Sequence, residues 1–277
     1  MPTLPLPSPG LLLASCAVVF AAGIVRGFAG FGFSALCVAG MALYLPPAEV
    51  VPPVFLLEVA ASVSLLRGAL KDVHWSWLGW LVLGNALCIP LGVALLARVD
   101  DTPLRLLIGA VLLVAAVLMR KGWALALEPT RLVRLGVGLV SGLVNGVAAI
   151  GGIAVALLLG ATKAAPGEPG RDGPGGGAVM LTPAAMRATM ILLFLFTDLY
   201  ALAWAAWLPS RTESALMGAA TLNLALWLAP AMLAGIWVGQ RAFAGVSEAV
   251  FRRRVLDLLA LIAALSVLRA LWSLARA

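Results

Sequence analysis

Four charged side chains, Arg26, Glu58, Arg187 and Asp198, stand inside long apolar runs of this chain. A charge at bilayer depth costs roughly 2.5–3.5 kcal/mol on insertion scales, so each needs a partner or a task. Around Arg26 the sequence from Gly23 to Ser34 reads G-I-V-R-G-F-A-G-F-G-F-S. Each glycine inside a helix costs about 1 kcal/mol against alanine, so the cluster is a poor way to build a plain span. It predicts a helix that breaks and turns its freed N–H groups, with Arg26, toward something polar. Gly142, Gly146 and Gly151 repeat the spacing of Gly23, Gly27 and Gly32, with Asn145 where the first copy has Arg26. Interrupted helices at matching places in two halves point to the binding site of a transporter.

The chemistry such a site could do is anion binding. A small oxyanion must shed water to cross, and half-helix N-termini near Gly32 and Gly151 would replace those hydrogen bonds with N–H groups and a positive dipole end. The planar fork of arginine suits such an anion, and Arg187, just past Pro183, can swing toward the breaks. Asp198 lies about three helical turns beyond Arg187, on the same face. Asp198 and Glu58 are candidates to carry a coupling proton, or are buried charges neutralised by partners the sequence does not reveal. The plainer readings are that glycine lets helices pack closely and that Asn85, Asn145 and Asn223 bond helix to helix. Arg26 could also snorkel to an interface.

The elements that must position these groups are membrane helices. The chain is 63% apolar and 11% charged, against about a quarter charged in soluble domains. That composition predicts an all-α polytopic membrane protein with no room for a separate soluble domain. The net charge of +7 does not argue for nucleic acid, because the basic residues fall in short loops where they set topology. Cys16, Cys37 and Cys88 lack metal-ligand spacing and read as small buried hydrophobes. No cleavable signal is evident, and His74, the lone histidine, reads as an interface residue.

In chain order, 11–25 and 33–45 are too short to span and form two arms of a V about the glycine break. Spans follow at 48–66, 77–96 and 104–119, the second entered through Trp75, Trp77 and Trp80 as an aromatic belt and kinked by Pro90 and Gly92. The second half repeats this with 135–145, a break, 153–160, and spans at 184–207, 215–238 and 255–272, the last preceded by Arg252, Arg253 and Arg254. A Gly/Pro-rich stretch, 161–178, reads as a flexible loop. Leu45-Pro46-Pro47-Ala48 aligns with Leu181-Thr182-Pro183-Ala184, so repeat one is 11–120 and repeat two 131–275 of a single domain, 1–277. Lysine and arginine segregate to one face only if each broken helix is re-entrant. Three crossings per half then make the repeats inverted, with Lys121 and Arg253 inside and both termini outside.

The runs R-G-F-A-G-F-G-F-S-A-L (26–36), G-L-V-N-G-V-A-A-I-G-G (142–152) and A-M-R-A-T-M-I-L-L-F-L-F (185–196) resemble the TauE/SafE sulfite exporter family, the TSUP transporters, along essentially the whole chain. The resemblance implies a bacterial inner-membrane permease of two inverted repeats, moving sulfite, sulfonates or other small organic anions. Ile153 stands where the family often has the proline of Gly-Gly-Pro, which implies a less sharp second break.

The expected substrate contacts are Arg26, Gly27, Gly30, Phe31, Gly32, Asn145, Gly146, Gly151, Gly152, Arg187 and Thr189. The expected partners are a small anion, the lipid bilayer and, at most, a second copy of the chain; no cofactor, metal or catalytic group is expected. An anion channel or a membrane subunit of a larger complex is the alternative. An intramembrane enzyme is disfavoured, because no nucleophile–base pair, H-E-x-x-H or G-x-S-x-G is present.

Overall fold

A computed structural model of the chain describes residues 8–121, 130–161, 182–208, 216–241 and 248–274. Among them are ten α-helices, a 3-10 turn at Leu70–Asp72, and no strand. The first half holds α1 (Pro9–Ala29), α2 (Phe33–Met41), α3 (Pro47–Ala69), α4 (Trp75–Arg98) and α5 (Asp101–Arg120). The second holds α6 (Arg131–Ala148), α7 (Gly152–Ala161), α8 (Pro183–Trp207), α9 (Ala219–Arg241) and α10 (Glu248–Leu274). Eight of these, all but α2 and α7, are long and apolar enough to cross a membrane. At 9 and 10 residues, α2 and α7 reach only about 15 Å. Large apolar side chains such as Leu226, Trp237 and Leu268 face outward. On a chain of this composition those faces meet lipid, and the protein is a multi-pass membrane protein.

The first arm is longer than the apolar run suggested. α1 continues to Ala29, so Gly23 and Gly27 lie inside it rather than at the break. Their task there is visible in what surrounds them. A methyl on Gly23 would sit 2.6 Å from the Met232 carbonyl and 3.2 Å from the Gly235 Cα, and one on Gly27 would strike the Ile236 carbonyl. The same seam recurs between α4 and α6, where a methyl on Gly146 would lie 2.8 Å from the Gly92 Cα and one on Gly138 3.1 Å from the Gly84 Cα. Glycine on both sides lets two backbones touch, the close crossing that small residues permit between membrane helices. α4 and α9 run as helices through Pro90 and Pro230, and the neighbouring Gly92 and Gly235 belong to these seams.

α2 turns back alongside α1. A methyl on Gly40 would meet Val18, and the Ser15 and Tyr44 hydroxyls are 3.1 Å apart. The two arms therefore make a V, but its first arm, and its counterpart α6, are long enough to cross a membrane where arms too short to span were expected. The helix pairings are reciprocal between halves: α1 packs on α9 and α6 on α4, while α4 packs on α8 and α3 on α9. The corresponding pairs α3–α8 and α5–α10 also pack on each other.

Two readings change. Trp77 is fully buried, with the Arg134 guanidinium 4.5 Å from its ring centroid. Trp75 is exposed, but Trp77 does not fit the belt reading, because α4 turns that side chain inward. α10 begins at Glu248, so the arginine triplet extends the helix, as a good helix former can. The Gly/Pro-rich stretch lies outside the described residues except at Ala161, as do both termini.

Candidate functional site

Both breaks are three residues long. α1 stops at Ala29 and α2 starts at Phe33; α6 stops at Ala148 and α7 starts at Gly152. The second break is as complete as the first despite Ile153. Each opens on a left-handed residue, Gly30 at φ 79° and Ala149 at φ 58°, whose N–H bonds back to the carbonyl of Arg26 and of Asn145 respectively. A left-handed turn of this kind ends a helix by reversing its backbone.

The ends exposed by the first break are covered by charged side chains. Arg26, wholly buried, donates from Nη1 to the Gly30 carbonyl at 2.7 Å and from Nη2 to Ser62 Oγ at 2.9 Å. The same Nη2 lies 2.9 Å from Glu58 Oε1 on α3. Arg187 Nη2 donates to the Gly27 carbonyl at 3.3 Å. Two guanidinium groups thus take up carbonyls at the C-terminal, partially negative end of α1. On the other side of the break, the Ser34 N–H in the first turn of α2 faces the Glu58 carboxylate. A carboxylate there complements the positive end of the α2 dipole.

The second break is held by an amide. Asn145 Oδ1 accepts from the Gly151 N–H at 3.2 Å while its Nδ2 donates to Asp198 Oδ1 at 2.9 Å. Asp198 is buried, and its Oδ2 makes no hydrogen bond among the described residues. Asn85 and Ser141 add a second polar contact between α4 and α6, Ser141 Oγ donating to Asn85 Oδ1 at 3.1 Å.

Phe194 joins the two breaks. Its ring lies 4.8 Å from the Arg26 guanidinium carbon, within cation–π reach, and it fills the space a methyl on Gly152 would need. Phe31 packs on the same cluster, with Phe194 and Val155. Asp198 is in electrostatic range of both Glu58 and Arg26. Arg26, Glu58, Asn145, Gly151, Gly152 and Asp198 therefore share one buried centre. Arg187 stands at its edge, half-buried, against Gly30, and lines a cavity of about 410 Å³ between the end of α3 and the start of α8, together with Ser64, Asp72 and Gln240.

Other predicted residues are placed elsewhere. Gly27 and Gly146 sit in the glycine seams. Thr189 is buried and accepts the His74 N–H at 3.1 Å, tying α8 to the turn before α4; His74 itself caps α4. Ser62 and Phe194 went unnoticed in the sequence, although a signal existed. With Pro47 aligned on Pro183, Ser62 falls on Asp198 and Glu58 on Phe194.

A family model described as Sulfite exporter TauE/SafE matches residues 15–167. No curated protein and no solved structure matches the chain.

Proposed function

The chain belongs to the TauE/SafE sulfite exporter family, and on that footing we propose that it is a secondary transporter of a small anion, either sulfite, a sulfonate or a related organic acid. The observation that carries the reading is Arg187. Its guanidinium lines the cavity on one side and bonds a carbonyl of the first break on the other. An anion entering the cavity meets that charge first, and the buried centre built from both breaks lies behind it. The cavity is within the range of small-molecule sites.

The two halves act as inverted repeats of one domain, which the reciprocal helix pairings support. The protein then sits in a bacterial inner membrane with both broken hairpins re-entrant, the termini outside and Lys121 inside. An impermeant thiol reagent applied to whole cells should leave a Lys121→Cys variant unlabelled; ready labelling from outside would overturn this orientation.

The site is tested by titrating purified protein with sulfite, sulfate, thiosulfate, sulfoacetate, taurine and acetate, following thermal stability. Arg187→Gln should weaken binding of the preferred anion roughly ten- to a hundred-fold, the worth of a charge-assisted hydrogen bond of about 1.5–3 kcal/mol. Arg187→Lys should keep part of it, because the charge stays and the fork is lost. Arg98→Gln, on the exposed end of α4, is the control and should be silent. Equal behaviour of the Arg187→Gln and Arg98→Gln proteins would remove Arg187 from the site.

A further inference from the structure

Among the described residues, the buried charged side chains are Arg26, Glu58 and Asp198: one cation and two acids. Glu58 holds the position that an anionic substrate would want. It is paired with Arg26 at 2.9 Å and faces the Ser34 N–H at the N-terminus of α2. Those are an arginine fork and a half-helix N-terminus, the two donors an oxyanion needs in exchange for water. Neither partner is used up. Arg26 Nε and Glu58 Oε2 are both buried and make no hydrogen bond among the described residues. The cluster therefore has donor and acceptor capacity beyond what Glu58 and Arg26 give each other.

We propose that Glu58 is an internal stand-in for the transported anion, occupying its place between Arg26 and the α2 N-terminus until a proton and the anion enter together. This rests on the anion-transporter reading. The balance is simple. One proton from water goes onto the Glu58 carboxylate, the neutral acid leaves the Arg26 fork, and a monovalent anion replaces it, so the net charge of the centre is unchanged. Without the proton, two negative charges would share one guanidinium in a water-poor site. Like charges about 4 Å apart at an effective dielectric of about 20 lower affinity by roughly a thousand-fold. The other titratable groups in electrostatic range of Glu58 are Asp198 on α8 and the Cys37 thiol on α2. α6 faces the centre with the amide Asn145. Asp198 is tied to that amide and makes no pair with Arg26, which leaves Glu58 as the acid the anion must displace.

The test is calorimetric titration of the full-length protein in detergent with methanesulfonate, a monovalent anion that stays ionised between about pH 6 and 8. Running it in buffers of different ionisation enthalpy counts protons taken up per anion bound. The wild type should take up one proton per anion and lose about tenfold in affinity per pH unit upward. Glu58→Gln keeps the acceptor toward Arg26 and Ser34 but has no charge to displace. It should bind without proton uptake, independently of pH, and at least tenfold more tightly than wild type at pH 8. Wild-type binding without proton uptake would overturn the proposal and leave the transporter reading intact. Proton uptake retained in Glu58→Gln but lost in Asp198→Asn would also overturn it, placing the proton on Asp198. Absence of binding by the wild type to methanesulfonate and to sulfite at every pH would overturn both.

Discussion

The two breaks have the same backbone plan and opposite chemistry. In the first, a charged pair covers the open helix ends: Arg26 takes a carbonyl and Glu58 faces the Ser34 N–H. In the second, one neutral amide covers the Gly151 N–H and passes the contact on to Asp198. The substitutions are positional. Asn145 stands for Arg26, Asp198 for Ser62, and Phe194 for Glu58. At these matched positions the second half has an amide where the first has the cation and an aromatic ring where the first has an acid, and that ring lies over Arg26. Two matching frames carry one break covered by a charged pair and one covered by an amide, and the second half supplies a wall for the charged pair.

The largest effect that would test this contrast is on stability. Arg26→Gln leaves Glu58 buried without its cation and should cost about 3–5 kcal/mol in denaturant unfolding from mixed micelles. Adding Glu58→Gln should recover most of that loss. Asn145→Ala, at the matching position, orphans an N–H and one carboxylate oxygen and should cost about 1–3 kcal/mol. Equal costs for Arg26→Gln and Asn145→Ala would erase the distinction between a charged and a neutral break.

A smaller effect separates the glycines that end the breaks. Gly32 has φ 88° but open space, its added methyl meeting only Val25 at 3.6 Å. Gly151 has ordinary φ but no room, a methyl falling on the Ser141 carbonyl and 2.7 Å from the Asn145 Cβ. Alanine should therefore cost about 1–2 kcal/mol at Gly32 through strain and about 1–3 kcal/mol at Gly151 through crowding. Asparagine, which tolerates the left-handed region, should be milder than alanine at Gly32 and no milder at Gly151. The same order of severity at both sites in thermal unfolding would contradict this division.

The smallest effect belongs to Ala149, the one non-glycine left-handed residue among those described. Ala149→Gly relieves roughly 1–2 kcal/mol of backbone strain and loses about 0.4–1 kcal/mol to the freer unfolded chain. A net gain of up to about 1.5 kcal/mol is expected. A clear loss of stability would mean that the alanine methyl, and not the backbone, is what this position requires.

Much of this was legible in the sequence because membrane helices announce themselves by length and composition, and breaks by glycine. The two matching breaks were legible from the glycine registers. The partner of Glu58 was not. Arg26 lies on another helix, with no periodicity linking the two, and only the packing of α3 beside the break brings them together. The division of labour among the glycines was equally hidden. Gly27 and Gly30 look alike in the sequence, yet one has its helix pressed on α9 and the other turns the chain. Telling them apart takes knowledge of which helix crosses which.

The reciprocal packing has a consequence for how the protein is made. The backbone of α6 rests on α4, which has already left the ribosome when α6 emerges. The seam of α1 is with α9, which comes nearly a whole chain later. At about 5–20 residues per second, α1 and the arginine it carries wait on the order of 10–40 s for the helix that closes their glycine face. The first hairpin synthesised is therefore the last to be completed.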